Sequence, residues 1–264
     1  MRMYCAKNHT YVVCAYGDSP FLSECLDSLH AQSVSSNISI ATSTPSKYIE
    51  ELATKYNCAL FAREGDSNIA DDWNFAVSVA ETPLVTLAHQ DDIYCRDYTE
   101  RMLDKVNSCS DALLYFSNYG ELRGDHAIDV SRLLTIKRFL LKPLTYSKMR
   151  ALKAVKRRTL SLGNPICCPA VTFLVDRLPS PLFRKGFRSN LDWDAWERFS
   201  RQSGSFVYDA KICMYHRVHG GSETSACIVD NTRTNEDLEM LKRFWPSCMA
   251  RLINRLYISA QSSN

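Results

Sequence analysis

The stretch Leu84–Tyr94, LVTLAHQDDIY, decides how the chain is read. It opens with the apolar and β-branched residues LVTLA, which read as a buried strand, and then turns to His89-Gln90-Asp91-Asp92. Adjacent carboxylates repel each other, and here they stand where the strand runs out. Working toward the N-terminus, strands alternate with helices. YVVCAY (Tyr11–Tyr16), ISIAT (Ile38–Thr42) and ALFAR (Ala59–Arg63) read as strands. Between them, DSPFLSECLDSLHAQ sets Leu22, Cys25, Leu26 and Leu29 at helical spacing. SKYIEELATKY opens on Ser46 as a cap, and DDWNFAVSVAE puts Trp73, Ala76, Val77 and Ala80 on one face. Single helices between strands imply right-handed crossovers, hence an α/β fold with a mostly parallel central sheet flanked by helices. Ligands of such sheets bind beyond the carboxyl ends of the strands, where His89–Asp92 falls.

The second half is less regular. ALLYFS and CCPAVTFLV read as strands, LDWDAWERFSRQSG as a helix ending at Gly204, and SFVYD and KICMYHR as short strands. NEDLEMLKRFWPSCMARLINRLY reads as helical and divided by Pro246. The 264 residues are 45% hydrophobic and 23% charged, ordinary for a globular chain with a real core. The net charge of +3 does not by itself imply nucleic acid. Eleven cysteines without a C-x-x-C pair argue against a zinc ribbon or a regular disulfide framework and fit reduced thiols in a cytosolic protein. The N-terminal apolar run is too short for a signal peptide, and nothing reaches the roughly 18 apolar residues of a membrane-spanning helix.

A nucleotide is the usual guest of a doubly wound sheet, but G-x-G-x-x-G and G-x-x-x-x-G-K-[ST] are both missing. A bound diphosphate would then need a divalent cation, magnesium or manganese, held by Asp91 and Asp92 through hard oxygens. That cation would offset the repulsion of the adjacent carboxylates. The plainer alternative is a surface turn in which Asp92 caps the next segment.

CAYGDSPFLSECLDSLHAQS, SNIADDWNFAVSVAETPLVTLAHQDDIY, LDWDAWERFSRQSG and YHRVHGGSET occur in that order. Together they resemble the family 2 glycosyltransferases, enzymes of the GT-A fold, from about Tyr11 to Thr224. The family's opening Pro-Thr-Tyr-Asn is represented by Tyr16, with Gly17 in the Asn position. Its Asp-x-Asp-Asp metal motif becomes His89-Gln90-Asp91-Asp92, which leaves Asp91 as the best ligand. The family's Asp-Asp-x-Ser after the second strand is replaced by IATSTPS, so Thr42 and Ser43 take the place of charged base contacts. Arg63 and Asn68 are further candidates for base or phosphate. The resemblance implies a catalytic base at the start of a helix, matched by Asp192, with Leu191 where a Glu is usual. Asp194 points about 200° away on the same helix, and the alternative for Asp192 is a carboxylate stabilised by the helix dipole. In YHRVHGGSETS the resemblance implies a lid over the donor. His219 would complete the metal site, Arg217 would face the diphosphate, and Gly220 and Gly221 would give freedom of movement. His216 and His219 also have zinc-pair spacing, without a third ligand nearby.

Between Arg132 and Arg158 stand ten Lys or Arg and no acid. The segment is either a solvated helix pair or a basic amphipathic surface for anionic membrane. Phe244 and Trp245 give the C-terminal region the same interfacial character. No aromatic platform accompanies the charge, so nucleic acid is a poor fit. Residues 1–225 are expected to form a GT-A domain with a basic insertion at about 130–160, and 226–264 a helical extension. The expected activity is metal-dependent, inverting transfer from a nucleotide-sugar, a UDP-sugar, to a saccharide carried on a polyprenyl diphosphate. The expected setting is cell-surface polysaccharide synthesis on the inner face of the membrane. A catalytically silent sugar-nucleotide or membrane-binding module and a metal-dependent nucleotide-diphosphate hydrolase are the alternatives.

Overall fold

The computed structural model describes residues 3–220 and 232–261, with side chains described through 256. The first half is a repeating strand–helix unit. Parallel strands β1 (His9–Ala15), β2 (Asn37–Thr42), β3 (Ala59–Ala62) and β4 (Leu84–His89) are joined by helices α1 (Leu22–His30), α2 (Lys47–Lys55) and α3 (Ile69–Ser78). Ser46 caps α2 by accepting the Ile49 amide at 3.3 Å. The chain continues through β5 (Ile93–Tyr94), α4 (Tyr98–Asn107), β6 (Ala112–Arg123), β7 (His126–Ile128), α5 (Arg132–Leu141), α6 (Lys153–Leu160), β8 (Val171–Leu174), α7 (Leu191–Ser200) and β9 (Ser205–Val218). Two helices close it, α8 (Thr232–Lys242) and α9 (Ser247–Gln261).

One sheet runs in the order β3-β2-β1-β4-β8-β6-β9-β5, with β7 alongside β6. β8 is antiparallel to both β4 and β6, and β9 runs parallel to β6. Tyr11, Val12 and Val13 are all fully buried, as the central strand of a sheet covered on both faces requires. Tyr11 and Val13 face a core with Leu26, Ile49 and Met102, under α1, α2 and α4. Val12 faces the other core, with Phe173, Trp193, Trp196, Met240 and Ala250. Helices α8 and α9 are therefore part of the second layer. The expected boundary at 225/226 lies outside the described residues.

Three features differ from the sequence reading. α4 fills a stretch to which no element was assigned, burying Met102, Leu103 and Val106. The two short strands expected at 205–217 are one strand, β9, whose pairing with β6 shifts register between Ser117 and Tyr119. Asn118 holds that irregularity by donating to the Ala210 carbonyl at 3.2 Å. Phe244 and Trp245 do not face outward. Phe244 stacks on Trp193 at 6.3 Å, and the Trp245 indole donates to the Ser161 carbonyl at 2.6 Å.

The basic segment is a helix pair, α5 and α6, but its charge is only partly solvated. Lys156 is fully buried, with its ammonium donating to the Gln202 and Gly204 carbonyls at 2.8 and 2.6 Å. Burial lowers its pKa to about 8. Arg157 pairs with Glu197, and Arg158 covers the Trp245 ring. Gly204 ends the α7 connection at φ 125°, where a Cβ would stand 2.7 Å from the Asp111 carbonyl oxygen.

Candidate active site

The site is assembled by one short strand. After β4 the chain turns, with the Asp92 amide donating to the His89 carbonyl at 3.2 Å, and enters β5. β5 pairs antiparallel with β9 at Met214 and Tyr215. That pairing brings His216-Arg217-Val218-His219 beside the two aspartates. Asp92 is fully buried, and its Oδ1 accepts from His216 Nδ1 and the Arg217 amide, both at 2.9 Å. His219 Nε2 lies 2.9 Å from Asp91 Oδ2. The two histidines of the zinc-pair spacing thus each take a different carboxylate.

The charges sort accordingly. Burial pulls the His216 pKa down, but the charge of Asp92 and its hydrogen bond raise it overall. Burial pushes the Asp91 carboxyl up, and His89, the His219 hydrogen bond and His216 outweigh that and hold it below the usual carboxylate value. His89 is held below its ordinary value by burial, against the pull of Asp92 and Asp91. Its ring stacks on Trp73 at 5.1 Å.

A ligand nitrogen of His89 and a carboxylate oxygen from each of Asp91 and Asp92 lie within 4.8 Å of one another. Asp92 Oδ2 and His89 Nε2 are buried without a hydrogen-bond partner among the described residues. A buried unpaired carboxylate oxygen is costly, so the residues fit a divalent cation.

The remaining sequence candidates fall into distinct places. Tyr16 is exposed at the carboxyl end of β1, and its backbone N–H and C=O pair with the Gln90 side chain, both at 3.0 Å. That pair ties the ends of β1 and β4 together. Gly17 has φ 59°, a conformation that Asn and Gly both reach, which accounts for Gly in the Asn position. Thr42 is buried at the end of β2, accepting the Thr44 amide at 3.0 Å, and Ser43 donates to Asp72 at 3.0 Å. Arg63 binds Asp72 at 2.7 Å and the carbonyls of Glu64 and Asp66, so its guanidinium holds the loop after β3. Asn68 caps α3 by accepting the Asp71 amide at 2.9 Å. Arg217 is buried. It donates to the Asp91 carbonyl at 2.9 Å and to Glu24 at 2.6 Å, and lies 4.3 Å over Phe21. Gly221 lies outside the described residues.

Asp192 opens α7. Its Oδ1 accepts the Trp193 amide at 2.8 Å and its Oδ2 the Asn164 side chain at 2.7 Å. Burial raises its pKa to about 6, against both hydrogen bonds and the charges of Arg233 and Lys137. The half-buried thiol of Cys167 and the buried thiol of Cys168 are each pushed up mainly by burial, and both also feel the charges of Asp92 and Asp192. Lys137, from the basic segment, acts on both Asp192 and His216. Asp194 faces the opposite way, buried between Arg198 at 2.9 Å and Arg243 at 2.5 Å. Sequence reasoning missed Trp73 as the platform for His89, Asn164 on Asp192 and the Glu24–Arg217 pair. Only Trp73 left a signal, as a large aromatic at the polar start of α3.

The family model for glycosyl transferase family 2 matches residues 10–170, more than half of the chain. The chain belongs to that family. Among solved structures, Staphylococcus aureus TarS 1–349 in complex with UDP-GlcNAc superposes with a TM-score of 0.62 at 14% identity, covering 95% of this chain and 71% of TarS 1–349. The mannosyltransferase PcManGT from Pyrobaculum calidifontis, in complex with GDP-Man and Mn2+, gives 0.63 at 13% identity, covering 98% of this chain and 76% of the other. At these identities the likeness establishes the shared GT-A fold. No curated protein sequence matches. The chain is therefore a GT-A glycosyltransferase, and among the described residues no helix is long and apolar enough to cross a membrane.

Proposed function

We propose that this glycosyltransferase moves a sugar, with inversion, from a UDP-sugar to a saccharide acceptor, using a divalent cation, Mn2+ or Mg2+, at Asp91 and Asp92. The observation that carries this reading is the pairing of two unlike carboxylate environments at one end of the sheet. Asp91 is held ionised by three histidines, whereas Asp192 is pushed up to about 6. A pKa near the working pH suits a general base, so Asp192 takes the proton from the acceptor hydroxyl. Its two hydrogen bonds leave the carboxylate oriented and still basic. When bound, the cation neutralises charge on the departing diphosphate.

His219 orients Asp91, and Arg217 fixes the Asp91 carbonyl from behind. The donor nucleotide lies across the ends of β1 and β2, with the exposed Tyr16 ring and the hydroxyls of Thr42 and Ser43 as its contacts. Arg63 and Asn68 shape that wall through the loop they hold. The PcManGT complex with GDP-Man and Mn2+ and the TarS complex with UDP-GlcNAc support a nucleotide-sugar donor on this fold.

For the acceptor, we infer a sugar carried on a polyprenyl diphosphate at the inner face of the membrane, within cell-surface polysaccharide synthesis. Support comes from the exposed apolar residues Ile136 and Phe139 of α5 and Met249, Leu252 and Leu256 of α9, set among exposed basic side chains. Residues 1–225 then serve as the catalytic unit and the C-terminal helices as its support on that surface.

The test is release of nucleotide diphosphate from UDP- and GDP-sugars, with and without a panel of saccharide acceptors. Release that requires both acceptor and divalent cation supports transfer. Release without acceptor would make the protein a hydrolase, and donor binding without release a silent module.

A further inference from the structure

The metal cluster departs from its family pattern at its first position, where a histidine stands in place of a carboxylate. That histidine is built into the site. Its ring lies on Trp73 with an interplanar angle of 29°, which fixes its plane. A ring nitrogen falls within 4.8 Å of ligand oxygens of both Asp91 and Asp92. His89 Nε2 and Asp92 Oδ2 are the two buried polar atoms of the cluster left without a hydrogen-bond partner among the described residues. Two other oxygens of the cluster are engaged, Asp92 Oδ1 by His216 and the Arg217 amide, and Asp91 Oδ2 by His219. A buried imidazole nitrogen and a buried carboxylate oxygen left unpaired in one cluster each cost free energy. A cation that takes both as ligands offsets both costs.

We propose that His89 is a nitrogen ligand of the divalent cation, together with Asp91 and Asp92, and that the site consequently selects Mn2+ over Mg2+. This inference rests on the metal-dependent reading above and narrows it. Magnesium prefers an all-oxygen octahedron and gives up its water reluctantly. Imidazole binds first-row transition ions in preference to magnesium. Replacing a carboxylate with an imidazole also removes one negative charge from the site. Magnesium, which depends on charge and oxygen donors alone, loses most by that exchange. His89→Asp restores the oxygen donor and reverses the preference.

The experiment measures binding of Mn2+ and Mg2+ in the absence of any sugar donor. Free Mn2+ is followed by electron paramagnetic resonance, and Mg2+ by its competition against bound Mn2+. The parent, His89→Asp and His89→Gln are compared, with circular dichroism confirming that each is folded. The parent is expected to bind Mn2+ at least tenfold more tightly than Mg2+. His89→Asp should narrow that ratio by about tenfold or more, and His89→Gln should weaken Mn2+ while leaving Mg2+ nearly unchanged. Should His89→Asp not fold, nitrogen modulation in the electron spin echo of Mn2+ bound to the parent, reduced in His89→Gln, decides the same point. An Mn2+/Mg2+ ratio identical in the parent and both variants overturns the role of His89 while leaving a metal site in place. Absence of binding of either ion, with UDP added or not, overturns the metal-dependent reading itself.

Discussion

The two sides of α7 carry carboxylates two residues apart, in opposite circumstances. Asp194 is buried and fully paired, with one oxygen on Arg198 and the other on Arg243. Asp192 accepts two hydrogen bonds from neutral groups, and among the described residues no ion pair joins it. Asp194 is thus held by paired charge, whereas Asp192, with its pKa raised to about 6, is the carboxylate to which the proposed function gives the acceptor proton. A like contrast recurs within Asp92, which spends one oxygen on β9 while the other has no partner among the described residues.

The sharpest break in this comparison is Asp192→Asn. Loss of a general base should lower transfer by roughly 10²–10⁴-fold, with donor affinity nearly unchanged. Equal transfer by parent and variant would place the base elsewhere. Asp194→Ala should do the converse. It strands two guanidinium groups, and breaking a largely buried pair costs on the order of 3 kcal/mol of folding stability. Urea unfolding should show that loss, while transfer per folded molecule stays close to the parent's.

A smaller effect carries the opposite sign. The folded pKa of Asp192 stands above its unfolded value, at about 6. Its contribution to stability is therefore present at low pH and lost as pH rises from about 4 through about 6. At pH 7 the ionised group costs stability, on the order of 2 kcal/mol, so Asp192→Asn should unfold at higher temperature than the parent there. Near pH 4 the two should coincide. An Asp192→Asn variant less stable at pH 7 would mean the carboxylate is structural.

The smallest effect concerns the surface. Arg251→Gln and Arg255→Gln, on the exposed side of α9, should each weaken binding to anionic vesicles by about 1 kcal/mol, an effect that fades with salt. Lys156→Gln should act on stability instead, because that ammonium caps the carbonyls of Gln202 and Gly204. A vesicle affinity that ignores the α9 arginines would return α5 and α9 to ordinary solvated helices.

Much of the fold was legible because its first half has a strict rhythm. Strand runs such as YVVCAY and helix patterns such as Leu22, Cys25, Leu26 and Leu29 report burial directly, and Ser46 and Pro246 mark ends by their backbone chemistry. The adjacent Asp91 and Asp92 were legible as a site because their repulsion needed a reason. What the sequence did not carry was pairing at long range. The two-residue β5 leaves almost no pattern, yet it sets His216–His219 against the aspartates. Nothing in a basic run separates Lys156, enclosed by a turn 46 residues away, from Arg158 on the surface. Phe244 and Trp245 read as interfacial because their partners, Trp193 and the Ser161 carbonyl, are distant in sequence.

In the proposed function the cluster at the end of β4 holds the donor diphosphate through a cation. It is tested most directly by the thermal stabilisation a nucleotide-sugar confers on the parent and on Asp91→Asn, each with Mn2+ and with chelator. A ligand that binds only the folded state raises stability by RT ln(1 + [L]/Kd). A UDP-sugar with Mn2+ is expected to stabilise the parent, and that stabilisation to be lost both on chelation and in Asp91→Asn. Equal stabilisation of the parent and Asp91→Asn, undiminished by chelator, would contradict it.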